Sequence, residues 1–346
     1  MSNETLPTSD IQIVDFGPFL DGSDKRGVAD KIVSSFKQIG FVYLMNHGIP
    51  AERSAEMFQW VGNSALKLTS RYDREDLDLT NILVKAILRP AHGNKKILRR
   101  IHHLGRTTEV FPPRLLIHPL YAIAEQRAQA PDVKESFECG REEDELQPNI
   151  WLPDGTLPGF KEACLDFFWL CHEVELNILR ALALGLGLAE GYFLQYHTVP
   201  DNQLRLLHYP SVPIQALEAE KITRIGAHSD FGSITLLLQD DVGGLEVEDP
   251  HQAGSFCPAP PVPGALVVNA GSNDTIRSTI HRVRAPRQSR SADGMTPERY
   301  SIPYFCCADF GTIVDCIPGT WDDERPKKYE PISAQEYIMK RMLSTY

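Results

Sequence analysis

His228 and Asp230 stand two residues apart in "RIGAHSDFGSITLLLQDD", residues 224–241, at the entrance of an apolar run that belongs in a protein interior. On one extended strand, side chains at i and i+2 face the same way, so this imidazole and carboxylate can reach one point in space. Both groups are ligands for a divalent first-row metal. His281, in "SNDTIRSTIHRVRAP", offers a third ligand from another predicted strand. Two histidines and one carboxylate form a facial triad that grips a metal from one side and leaves coordination positions open on the other. A His-x-Asp triplet alone is a weak signal. Its weight comes from the ordered series "HSDFGSITLLLQDDVGGLEV", "STIHRV" and "RYSIPYF". The chain has no His-Glu-x-x-His helix, which argues against a zinc hydrolase.

The elements that must position these residues can be read from apolar periodicity. "IQIVDFGPF" alternates as a strand does, "DKRGVADKIVSSFKQIG" has helical spacing with Gly40 at its stop, "FVYLMNHGIP" reads as a second strand, and "AERSAEMFQWVGNSALKL" returns to helix. The strongest helix is "PGFKEACLDFFWLCHEVELNILRALALGLGL", where Phe160, Cys164, Phe167, Phe168, Cys171, Val174, Ile178 and Leu182 recur at three- and four-residue steps. "EGYFLQYH" reads as a short helix. Beyond residue 200 come short strand-like runs punctuated by Gly, Pro and Asp: "NQLRLLHYP", "SITLLLQ", "GLEVED", "GALVVNAG", "STIHRVRAP" and "RYSIPYFCCAD". That texture predicts a β-sandwich or barrel. "SAQEYIMKRML" closes the chain as an amphipathic helix.

Composition sets outer bounds. The 346 residues are 42% hydrophobic and 23% charged, with a formal net charge of -11, so a broad nucleic-acid-binding face is not expected. No run approaches the roughly 20 apolar residues of a membrane span. The polar start "MSNETLPTSD" has no signal-peptide pattern, and a cytoplasmic location is expected. Seven scattered cysteines read as reduced thiols, with Cys164 and Cys171 in the core.

These motifs resemble the iron- and 2-oxoglutarate-dependent dioxygenase superfamily, in its isopenicillin-N-synthase-like branch. "IVDFGPF", "FKQIGFVYLMNHGIP", "WLP", "LPGF", "NQLRLLHYP" and the His-x-Asp stretch occur in the branch's order. The resemblance implies an α+β fold, with a double-stranded β-helix (jelly-roll) core flanked by helices and an N-terminal α/β segment. It implies that His228, Asp230 and His281 are catalytic and hold Fe(II). Arg299 and Ser301 of "RYS" would take the distal carboxylate of 2-oxoglutarate, with Tyr209 of "HYP" hydrogen-bonding the same co-substrate. An arginine fork suits a carboxylate better than a lysine does. Asn46 and His47 resemble a structural turn. The implied reaction couples dioxygen and oxidative decarboxylation of 2-oxoglutarate to oxidation of a C–H bond in a small molecule, by hydroxylation, desaturation or cyclisation. The branch is rich in enzymes of specialised metabolism. Phe231, Leu245 and Phe305 are candidates for shaping the substrate pocket.

The resemblance divides the chain into an N-terminal dioxygenase segment (9–115), a helical linker (116–198), the jelly-roll domain (199–310) and a C-terminal helical tail (311–346). Two stretches depart from the branch. "NAGSNDTIRSTIHRV" joins its two halves directly at residues 271–272, without the acidic residue, apolar stretch and Trp usual there. Residues 73–130 are locally basic, hold no steady period and read as irregular. An altered reading frame or a retained non-coding stretch is one hypothesis for them, and an uninterrupted spliced message encoding the stretch would dismiss it. Two further readings stay open on the same scaffold. One is an iron oxidase independent of 2-oxoglutarate. The other is a non-catalytic binding protein that lost its metal through the short junction.

Overall fold

Among the later strands, nearly every apolar residue is buried whichever way it points, so sheets covered on both faces are required. The computed structural model describes residues 11–71, 132–144, 148–271, 276–285, 293–324, 326–327 and 329–345. The atypical stretch 73–130 lies outside them, as do four residues of the short junction, 272–275.

Two sheets face each other. The larger contains β1 (Ile13–Asp15), β2 (Phe41–Met45), β3 (Glu135–Cys139), β4 (Gln203–Tyr209), β6 (Ile234–Gln239), β9 (Leu266–Ala270) and β11 (Arg299–Cys306), in the spatial order β1-β2-β9-β6-β11-β4-β3. The smaller contains β5 (Ile225–His228), β7 (Leu245–Glu248), β8 (Phe256–Pro258) and β10 (His281–Val283), ordered β5-β10-β7-β8. Of the strand pairs in these two sheets, only β1–β2 is parallel among the described residues. Alternation sorts the side chains. Phe41, Tyr43, Leu207, Tyr209 and Val267 of the large sheet meet Leu245, Val247 and Val283 of the small one in a core between the sheets. Val42, Leu44, Leu204, Leu206, Leu236 and Val268 point the other way. They pack under helices α2 (Lys25–Gln38) and α4 (Phe160–Gly185). This is the jelly-roll core with flanking helices that the resemblance implies, and the N-terminal segment supplies β1 and β2 at one edge of its larger sheet.

Further helices among the described residues are α1 (Gly17–Leu20), α3 (Ala51–Arg71) and α5 (Ile214–Glu218). A 3-10 turn, Leu194–Tyr196, stands where "EGYFLQYH" predicts a helix. The strands β12 (Ile313–Val314) and β13 (Ile332–Ser333) pair with each other and lead into α6 (Ala334–Thr345). The stretch predicted as a helical linker contains a strand as well: β3 pairs with β4 at the sheet edge. Its sequence, "ESFEC", is half polar, and the buried Glu138 is tolerated because Arg205 Nε lies 2.7 Å away and Gln203 Nε2 donates to it at 2.9 Å. A second buried carboxylate, Glu175, locks α4 to its neighbours. It meets His172 Nδ1 at 2.9 Å and His197 Nδ1 at 3.0 Å, and it accepts from Asn202 Nδ2, which also donates to Tyr304 Oη of β11. All seven cysteines are free, and Cys164 and Cys171 are buried as expected.

Candidate active site

The question of why His228 and Asp230 stand together is answered at the end of β5. His228 is its last residue, and Asp230 lies just beyond, in the turn before β6. The pair therefore does not share one strand, as the i, i+2 spacing predicts; the chain leaves the sheet between them. β10 runs antiparallel beside β5 with His281 opposite His228, and the two rings lie 4.3 Å apart between centroids. Asp230 Oδ1 is 3.8 Å from His228 Nε2 and 3.7 Å from His281 Nε2. One ligand atom from each of the three falls within 4.8 Å of the others, the spacing of a shared metal ion.

The outer atoms of these side chains are already committed. His228 Nδ1–H donates to Gly226 O at 2.9 Å and His281 Nδ1–H to Thr279 O at 3.2 Å, which leaves each Nε2 lone pair facing Asp230. Asp230 Oδ2 accepts from Thr235 Oγ1 at 2.6 Å and from Asn269 Nδ2 at 2.7 Å, so Oδ1 is the oxygen turned to the histidines. Burial opposes ionisation of Asp230. His281 and His228, with the Asn269 and Thr235 hydrogen bonds, outweigh it and hold the carboxyl below its ordinary range. Two imidazoles and one carboxylate, each oriented from behind, form a ligand set that fits a divalent iron ion.

The approach to His281 is fixed despite the short junction. Thr279 Oγ1 donates to Ile39 O at 2.7 Å, Arg277 N to Phe36 O at 3.3 Å and Arg277 Nε to Lys37 O at 3.2 Å. The turn between α2 and β2 thus carries the segment that leads into β10. Gly40 in that turn has φ +74°, and a Cβ there would stand 2.4 Å from Arg277 O.

Arg299, Ser301 and Tyr209 form a second group, on β11 and the adjacent end of β4. Arg299 is opposite Tyr209 in the register, and its guanidinium lies 5.0 Å from the centre of the Tyr209 ring. Arg299 Nη1 donates to Ser301 Oγ at 3.1 Å, as two residues on one strand face allow, and Nη2 donates to Gln239 Oε1 at 3.3 Å. All three residues are 1% exposed. Burial raises the Tyr209 hydroxyl above its ordinary range, which keeps it a neutral donor.

Two family models match the chain: the 2OG-Fe(II) oxygenase superfamily over residues 200–308, and the N-terminal region of the non-haem dioxygenases in morphine synthesis over residues 11–64. Proline hydroxylase buaE of Petromyces alliaceus is 32% identical, with 97% of this chain and 100% of that protein covered. The 2-oxoglutarate-dependent dioxygenase gloF of Glarea lozoyensis is 30% identical, covering 97% and 99%. A full-length Neurospora crassa protein, crystallised in complex with alpha-KG and thymine, superposes with a TM-score of 0.74 at 34% identity, covering 98% of this chain and 99% of that one. This chain belongs to the 2OG-Fe(II) oxygenase superfamily.

The protein is thus a 2-oxoglutarate-dependent dioxygenase whose cofactor is Fe(II) and whose co-substrate is 2-oxoglutarate. Its substrates are dioxygen and a small molecule. Among the described residues, no helix is long and apolar enough to cross a membrane. Of the three candidates for the substrate pocket, Phe231 lines a cavity of about 1080 Å³ beside the triad. Leu245 is core, and Phe305 carries the Arg205 guanidinium 4.9 Å from its ring centre. The triad does not line this cavity; the oxygenase joins the two through Phe231, Gly232 and Ser233, directly after Asp230. Arg341 of α6 lies over the Phe231 ring at 4.6 Å and donates to Ser229 Oγ at 3.1 Å, so the C-terminal helix braces the loop that carries Asp230. Asn46, with φ 52° and its amide donating to Asp15 Oδ1 at 2.8 Å, forms the turn that the resemblance implies. Sequence reasoning missed Thr235 and Asn269. The one available signal was an amide, in "LVVNAG", on an otherwise apolar strand.

Proposed function

We propose that this dioxygenase oxidises a C–H bond of a small molecule, with His228, Asp230 and His281 holding Fe(II) and Arg299, Ser301 and Tyr209 holding the distal carboxylate of 2-oxoglutarate. The jelly-roll region 199–310 carries all six residues; the N-terminal segment supplies β1 and β2 at one sheet edge and the turn that braces the segment leading to His281. The observation that carries the reading is the meeting of His228 Nε2, His281 Nε2 and Asp230 Oδ1, with both Nδ1 atoms tied to backbone carbonyls. Bound there, Fe(II) would supply the chemistry that couples dioxygen to decarboxylation of 2-oxoglutarate into succinate and carbon dioxide.

The protein's own part is positioning. The two Nδ1–H bonds fix the imidazole tautomers, and Asn269 and Thr235 fix the carboxylate. Arg299 would offer a carboxylate its guanidinium donors, and Ser301 and Tyr209 would add hydroxyls beside it. The relatives include a protein named for hydroxylating proline, and another named only as a 2-oxoglutarate-dependent dioxygenase. The first of these names supports hydroxylation over desaturation or cyclisation.

Anaerobic titration of the purified full chain with Fe(II), paired with succinate release under air, tests the reading. The expected result is one Fe(II) per chain, lost in His228→Ala, and succinate formation that requires 2-oxoglutarate. Stoichiometric iron with oxidation independent of 2-oxoglutarate would instead favour the oxidase. Failure to bind iron would favour the non-catalytic scaffold.

A further inference from the structure

Beside Arg299 the structure buries a second arginine to which the reading above gives no task. Arg224 precedes β5 and is 1% exposed. Its Nη2 donates to Pro297 O, while Nε and Nη1 are buried without a hydrogen-bond partner among the described residues. Its guanidinium lies 5.9 Å from the centre of the same Tyr209 ring that Arg299 approaches at 5.0 Å. Two further donors of this neighbourhood are also buried and unpartnered: Arg299 Nε and Gln239 Nε2. Asp240 is the carboxylate nearest in effect, and its oxygens are taken by the backbone N–H groups of Tyr300 and Val242. Burial, followed by repulsion from Arg299, pulls the Arg224 guanidinium down to about 10, still charged at neutral pH.

Leaving donors of one charge unpaired in a protein interior is costly, and a second guanidinium near the same Tyr209 ring raises the cost. Four buried donors, Arg224 Nε and Nη1, Arg299 Nε and Gln239 Nε2, stay unsatisfied although Ser301, Gln239 and Asp240 offer acceptors nearby, and an anion would satisfy them. We infer that Arg224 is a second guanidinium for the distal carboxylate of 2-oxoglutarate, working alongside Arg299 to select dianionic 2-oxo acids over monoanionic ones. The inference rests on the assignment of Arg299, Ser301 and Tyr209 to that carboxylate. Arg299 stands on β11 of the larger sheet, and Arg224 lies just before β5 of the smaller one. The carboxylate would therefore be held from two sides, and a shorter or uncharged tail would leave Arg224 unpaired.

The test is equilibrium dialysis of the full chain, loaded with Mn(II), against 2-oxoglutarate and against 2-oxopentanoate, which has the same carbon chain without the distal carboxylate. Arg224→Gln is expected to weaken 2-oxoglutarate binding roughly 10- to 100-fold, the loss of a charge-assisted hydrogen bond, and to leave 2-oxopentanoate binding unchanged. Arg224→Lys, which keeps the charge but not the fork, should fall between wild type and Arg224→Gln. Ligand-free melting curves of both variants establish that they fold. If Arg224→Gln binds 2-oxoglutarate as wild type does while Arg299→Gln does not, the inference is wrong and the proposed function stands. Equal weakening of both ligands would make Arg224 a purely structural residue and overturn the inference too. If Arg299→Gln also binds 2-oxoglutarate normally, the assignment of the pocket itself fails.

Discussion

Asp230 divides its work between its two oxygens, and that division makes a strong prediction. Oδ1 faces the histidines, while Oδ2 is held at 2.7 Å by Asn269 and at 2.6 Å by Thr235. Removing a partner behind a metal ligand lets the ligand rotate and typically costs 10- to 100-fold in metal affinity. Asn269→Ala should therefore weaken Fe(II) binding by about that factor while all three ligands remain in place, as read by anaerobic titration against a competing chelator. Wild-type affinity in this variant would show that the carboxylate needs no support from β9. At this scale the sequence was informative where residue type alone implies chemistry. A His-x-Asp pair and a distal histidine carry their meaning with them, and so does an Arg-x-Ser on a strand. Asn269, Thr235 and Arg224 do not. An asparagine, a threonine or an arginine in an apolar strand becomes meaningful only when pairing shows what it faces, and strand pairing brings Asn269 opposite Thr235 although they are far apart in sequence.

Elements were legible where a period persisted long enough. The 26-residue helix α4 and strands β2, β4, β6, β9 and β11 fall on the runs that their periodicity predicts. Two strands did not announce themselves: β3, whose "ESFEC" is mostly polar, and β8, whose three residues are too few for alternation to stand out. The delivery of His281 was the least legible step, because the short junction gives no clue to what replaces the usual connection. The structure supplies the replacement at the end of α2 and the turn after it, where the carbonyls of Phe36, Lys37 and Ile39 accept from Arg277 and Thr279. Gly40 makes this docking possible, since its φ is +74° and a Cβ would approach Thr279 Oγ1 to 2.5 Å. Gly40→Ala should push the 276–280 segment away from the turn. Strain of this kind costs about 1–3 kcal/mol of stability, and the iron affinity should fall with it, because the displaced segment carries the Thr279 carbonyl that holds His281. Chemical denaturation and iron titration on the same preparation check both halves. A destabilised variant with unaltered iron affinity would show that β10 is positioned by its sheet neighbours alone.

For the whole molecule, the two sheets contribute unequally to one site. His228 and His281 belong to the smaller sheet, whereas Arg299, Ser301 and Tyr209 belong to the larger, as do the Asn269 and Thr235 that restrain Asp230. That division could not be read from the sequence, because it depends on pairings between distant segments, and local periodicity carries no information about them. It has a thermodynamic consequence. A metal on the triad and 2-oxoglutarate reaching from that metal to Arg299 would cross-link the sheets, and a ligand that binds only the folded chain stabilises it by mass action. At 100 times its dissociation constant the gain is about 2.7 kcal/mol, equivalent to a rise of roughly 5 °C in the melting temperature. Mn(II), which prefers the same oxygen and imidazole ligands, can report this without turnover under argon. Mn(II) and 2-oxoglutarate together should raise the midpoint by more than the sum of their separate shifts, since the metal supplies one end of the co-substrate's site. Arg299→Gln should keep the Mn(II) shift and lose most of the extra increment, whereas His281→Ala should lose both. Strictly additive shifts, or an increment that survives EDTA, would mean that 2-oxoglutarate binds away from the triad and that the two sheets are not joined through it.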